Sequence, residues 1–177
     1  MTQPFEHWGE FYLLAGSAAA VLIGLIFVVI TLMHDRSRSS VLFGSRLYMG
    51  PIVLHMCFVL ALSGAALAPG VTTGQFAAMC GAIALWGLAR GLMSTLGIRR
   101  LSGEDQPHWT DLWFYGIIPA AIYLALGAVA LAVQSGAEWA ERGVGAVVVA
   151  LILLSVRNEW DLVTWLAPRA DGASAKD

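Results

Sequence analysis

Arg157, Asn158, Glu159 and Asp161 stand together in LLSVRNEWDLVTW, residues 153–165, at the close of an apolar run. Ionisable side chains at membrane depth pair with one another, relay protons or line an ion path. A second such residue, Arg90, interrupts WGLARGLMSTLG, and Asp111 and Tyr115 open the next apolar run. At about 100° per residue, Arg157, Asp161 and Thr164 share one helix face, while Glu159 and Ser155 lie nearly opposite. Arg157 and Asp161 are four apart and can pair within their own helix. Glu159 needs a partner elsewhere. Arg90 sits ~22 Å and Glu159 ~24 Å from the outer ends of their helices, at 1.5 Å per residue, so their depths match. The expected cluster is therefore Arg90, Arg157, Glu159, Asp161 and Asp111, in the inner half of a helix bundle. Two readings of it stay open: a structural ion-pair network with side chains snorkelling to the interface, or a functional ionisable site.

His55 and Tyr115 are the other polar groups at that depth. His55 is expected to line a cavity, bind a headgroup or hydrogen-bond a neighbour, and Tyr115 to line the same region. A haem needs axial ligands, commonly two, and no second histidine lies at a facing depth. Cys57 and Cys80 lack C-x-x-C spacing. No metal and no cofactor is expected. G-x-S-x-G, H-E-x-x-H and phosphate-loop patterns are absent, which argues against an enzyme.

The elements that must position these residues are membrane helices. The chain has 177 residues, 58% hydrophobic and 12% charged, against roughly 25% charged in soluble domains. Five runs, 11–33, 48–67, 75–96, 112–133 and 143–165, are long enough for ~30 Å of hydrocarbon, which takes about 20 residues. The expected fold is all-α: one bundle of five transmembrane helices over residues 1–167, with a disordered tail at 168–177. Short linkers, APGVTTG and LSGEDQPHW among them, make successive helices antiparallel. MTQPFEHWGEF has no Lys or Arg, so the first run reads as a retained helix and not a signal peptide.

Arginine and lysine set the direction. Arg36, Arg38, Arg46, Arg99, Arg100, Arg157, Arg169 and Lys176 fall at one end and only Arg142 at the other. The N-terminus is expected outside and the C-terminus in the cytoplasm. Trp8, Trp109, Trp113, Trp139, Trp160 and Trp165 mark helix ends, as interfacial aromatics do. The strictly apolar part of the fifth run, 143–155, covers only about 20 Å. The fifth helix must therefore take its polar continuation, Arg157 to Asp161, into the inner bilayer or its interface.

Small residues suggest which faces meet. Gly16, Ala20 and Gly24 are spaced by four, as are Gly87 and Gly91. Such spacing lets helix backbones approach closely. Pro119 is expected to kink the fourth helix.

FYLLAGSAAAVLIGLIFVVITL and VRNEWDLVTWL resemble the first and last spans of small bacterial inner-membrane proteins without an assigned function. The resemblance covers most of the chain. It implies a bacterial inner membrane and a helical bundle, and carries no activity or site residue.

No basic patch suggests nucleic acid. Five spans do not divide into the repeated halves usual in transporters. The expected partners are membrane lipids, further copies of the chain and another membrane protein. The leading expectation is a homo-oligomer conducting ions through a pore between subunits, with the charged cluster at its cytoplasmic mouth. The alternatives are a non-catalytic membrane subunit or modulator, and a small transporter using Arg90 and Glu159.

Overall fold

A computed structural model describes residues 5–32, 50–100 and 109–166. All regular structure among them is helical. A single 3₁₀ turn, Glu6–Trp8, leads into α1, Gly9–Leu32. Then follow α2, Gly50–Leu67, and α3, Thr73–Arg100. Helix α4 combines α-helical Trp109–Leu112, a π-helical turn Trp113–Ile117 and α-helical Ile118–Ser135. Last comes α5, Ala140–Leu166. The arginines expected in the first loop, His34, His108 and the tail at 168–177 lie outside the described residues.

Gly9–Val29, Gly50–Leu67, Thr73–Leu96 and Trp113–Ser135 are long and apolar enough to cross a membrane. The chain is a multi-pass membrane protein. Helix α5 has 27 residues but carries Glu141, Arg142, Arg157, Glu159 and Asp161. It packs against α4, α2 and α1, whereas α3 packs mainly on α4 and α1 mainly on α2. The most polar helix thus meets three other helices, which gives its polar groups protein surroundings.

Local chemistry fixes the ends. Thr72 and Gln75 form a capping box at the start of α3: the Gln75 N–H donates to Thr72 Oγ1 (3.2 Å) and the Thr72 N–H to Gln75 Oε1 (2.9 Å). Pro51 stands in the first turn of α2, where its missing N–H leaves no helical bond unmade. Gly136, at φ 69°, closes α4, with its N–H on the Val133 carbonyl and that of Ala137 on the Ala132 carbonyl.

Pro119 acts through register. Ahead of it the Ile118 N–H donates to the Trp113 carbonyl, a π-type bond. Continuing that register would pair residue 119 with the Phe114 carbonyl, but proline has no N–H. The helix meets its proline with a widened turn.

Close packing runs through glycine. The Tyr123 ring lies on Gly87, Ala120 lies on Gly91, and a Cβ on Gly116 would stand 2.5 Å from Thr95 Oγ1. Gly16 meets Ser63 of α2, where a Cβ would be 3.2 Å from the serine Cβ. Ala20 and Gly24 are exposed, and nothing lies within 4 Å of a Cβ built on Gly24.

The bundle end that holds the start of α1 is filled by aromatic rings. Phe5 packs on Phe76 and Tyr12, with ring centroids 4.5 and 5.4 Å apart, and Trp8 lies over Gly145 of α5. Phe5 adopts the left-handed region, φ 71°, and its N–H donates to Glu141 Oε1 at 3.2 Å. Burial of the ring and that charge-assisted bond offset the unfavourable backbone. Met56, Val59, Leu62, Leu126, Val148 and Leu151 continue the core inward.

Candidate functional site: a polar cleft between three helices

The opposite end of the bundle is where the polar side chains gather. A cavity of ≈ 190 Å³ lies between the start of α2, the later half of α3 and the early part of α4. His55, Arg90, Ser94, Tyr115 and Tyr123 line it. It is small beside the ~300–1,000 Å³ of drug-sized ligand pockets, so it suits a compact group.

Each polar lining residue has a positional cause. Tyr115, Pro119 and Tyr123 are spaced by four along α4 and share a face. Gly87 and Gly91 let that face sit against α3, and Arg90 and Ser94 follow on the same stretch of α3. The Tyr123 hydroxyl and His55 Nδ1 are hydrogen-bonded at 2.6 Å, which ties α2 to α4. The Phe58 ring meets Tyr123 edge-on at 5.9 Å and holds the phenol in place.

Three groups in this region keep unused hydrogen-bonding capacity. His55 Nε2 and Ser94 Oγ are buried without a hydrogen-bond partner among the described residues. Arg90 is exposed at the cleft, and no hydrogen bond or ion pair joins it to a described residue. Among the described residues no Asp or Glu lines the cavity.

Beside the cleft, α5 closes on the π turn. Asn158 is fully buried. Its Nδ2 donates to the Phe114 carbonyl at 3.3 Å, the acceptor that Pro119 cannot supply with an N–H. Arg157 Nη1 donates to Asn158 Oδ1 at 3.1 Å, and the guanidinium lies 3.6 Å from the Phe114 ring centroid. The Tyr115 hydroxyl donates to the Asn158 carbonyl at 3.4 Å. Tyr115 therefore belongs to both the cleft wall and the α5 contact.

The expected charged cluster is distributed differently from the sequence reading. Arg157 and Asp161 approach to 3.6 Å on one helix face. Glu159 is half-buried, and its Oε1 has no hydrogen-bond partner among the described residues. Arg90 and Glu159 form no ion pair there: Arg90 borders the α2–α3–α4 cleft and Glu159 stays with α5. Matching depth did not bring them together, because depth along an axis leaves the azimuth of each helix free. The Asp111 side chain lies outside the described residues. Among those residues no three His, Cys, Asp or Glu side chains group to hold a metal.

Sequence reading singled out Asn158 without placing it in the site, and left Ser94 and Tyr123 out of the site. Asn158 had a signal, since it continues the stripe Leu151, Leu154, Ser155 and Leu162 at i, i+3, i+4 spacing. Tyr123 had one too, four residues beyond Pro119. Ser94 had none beyond its place one turn after Arg90. No family model, curated protein or solved structure matches the chain.

Proposed function

We propose that this chain is a five-span protein of the bacterial inner membrane, N-terminus outside and C-terminus cytoplasmic. It works as a non-catalytic subunit that binds a ligand or partner group in the cleft between α2, α3 and α4. The observation that carries the reading is unused hydrogen-bonding capacity gathered at one cavity inside a single chain: Arg90, His55 Nε2 and Ser94 Oγ. Buried polar groups without partners are uncommon, and two of them beside a guanidinium unpaired among the described residues mark a place where something else completes them. The other end of the bundle is packed with Phe5, Tyr12 and Phe76, so the cavity suits binding better than passage. Helix α5 is about 40 Å long at 1.5 Å per residue, and its contacts with α1, α2 and α4 support a fifth crossing. Arginine and lysine placement supports the direction.

Water access tests the reading. With Cys57 replaced by Ser and Cys80 by Ala, Met93→Cys at the cleft should react with a membrane-impermeant maleimide in inside-out vesicles and stay unmodified in right-side-out ones. Leu85→Cys, on an exposed apolar face, should react in neither. A thiol at 93 that is silent from both sides would sink the cleft as the working element.

A second reading, a homo-oligomer conducting ions through a pore between subunits, rests on Ala20 and Gly24. Both lie open on α1 and permit close approach of another helix. Native mass spectrometry of the solubilised protein decides it. A closed assembly of three or more copies supports the pore, and a monomer removes it.

A further inference from the structure

We propose that the cleft receives a phosphate group, carried by an anionic phospholipid of the adjoining leaflet or present as free phosphate. The inference rests on the reading of the cleft as a binding element and names what it binds. Among the described residues the lining offers donors and no carboxylate. Arg90 has five N–H donors and no acceptor. In the tautomer in which the Tyr123 hydroxyl donates to His55 Nδ1, Nε2 carries the imidazole proton and offers a second donor, and Ser94 offers a third. Donors of this kind around a compact cavity call for an acceptor-rich anion, and a guanidinium fork matches a phosphate's oxygens.

Position supports phosphate over other anions. Arg90 lies about 9 Å short of Leu96, the end of the apolar span. A side chain of that length reaches toward the interface, where headgroup phosphates lie. Basic pockets between membrane helices on the cytoplasmic side bind such headgroups. The exposed apolar side chains of Leu92 and Met93 beside Arg90 give acyl chains a surface on which to lie.

The test uses the purified full chain in a non-ionic detergent and native mass spectrometry. The probes are dioleoyl phosphatidylglycerol, dioleoylglycerol (the same tails without phosphate) and inorganic phosphate. We expect one phosphatidylglycerol per chain, held at least tenfold more tightly than dioleoylglycerol. Arg90→Gln should weaken it about tenfold, and Arg90→Lys less. Arg142→Gln, which removes an equal charge at the other end of the bundle, should leave binding unchanged. Thermal unfolding of each variant separates lost binding from lost fold. If inorganic phosphate binds and depends on Arg90 while phosphatidylglycerol does not compete with it, the source is free phosphate. The proposal is overturned if neither probe binds, or if Arg90→Gln and Arg142→Gln lose binding equally. Labelling at Met93→Cys without phosphate binding overturns the ligand and leaves the cleft. Loss of both overturns the cleft as well.

Discussion

Gly87→Ala should lower the unfolding midpoint of the solubilised protein sharply, while Gly24→Ala leaves it unchanged or raises it slightly. Alanine is the better helix former by roughly 0.5–1 kcal/mol, so propensity favours both substitutions. Space separates them. A Cβ on Gly24 meets nothing within 4 Å, whereas one on Gly87 runs into the Tyr123 ring. That ring cannot step aside freely: it is buried, bonded to His55 and flanked by Phe58. Overpacking of this kind costs about 1–3 kcal/mol, enough to outweigh propensity. Removing the ring should remove most of the penalty. In a Tyr123→Ala background, itself destabilised by about 3–5 kcal/mol, adding Gly87→Ala should cost little, a coupling of ~1–2 kcal/mol. The readout is the temperature at which buried Cys80 becomes reactive, with exposed Cys57 replaced by Ser. A Gly87→Ala variant as mild as Gly24→Ala would refute the close α3–α4 approach that forms the back of the cleft.

The same two glycines show what the sequence could and could not say. Spacing by four marked Gly87 and Gly91, and Gly16, Ala20 and Gly24, as faces suited to close contact, and that much is periodicity. Which face meets a neighbour inside the chain is a property of bundle order. α3 turns its small face to α4, while α1 turns only Gly16 inward and leaves Gly24 open. The five helices were legible because apolar length and turn residues are local signals. The partners of Arg90 and Glu159 were not, since a helical wheel gives angles within one helix and none between helices. Pro119 announced a disturbance in α4, but a missing N–H can be absorbed by a kink or by a wider turn. Only the packing of α5 against Phe114 decides between them. Phe5 was not legible either. Its left-handed backbone is held by Glu141, far away in sequence.

Asn158→Ala should destabilise the protein by about 1–3 kcal/mol, and Pro119→Ala should recover part of that loss. The Phe114 carbonyl is the reason. In the π register its backbone donor would be the N–H of residue 119, which proline lacks. Asn158 Nδ2 takes that place. Alanine at 158 leaves the carbonyl without this donor, a loss of the order of 1–3 kcal/mol for a buried group; side-chain hydrogen bonds between membrane helices average nearer ~0.6 and reach ~1.7. Arg157 also loses the Asn158 Oδ1 acceptor, though it keeps Asp161 and the Phe114 ring. Alanine at 119 restores a backbone N–H that can serve Phe114. The cost of Asn158→Ala should therefore shrink by ~1 kcal/mol in the Pro119→Ala background. Equal costs in the two backgrounds would separate Asn158 from the π turn. The consequence reaches the cleft through Tyr115, which lines the cavity and donates to the Asn158 carbonyl. Loosening α5 from the π turn frees that wall, so maleimide modification of Met93→Cys should quicken in Asn158→Ala and return toward its original rate when Pro119→Ala is added. A rate that follows global stability alone would mean that α5 supports the fold without shaping the cleft.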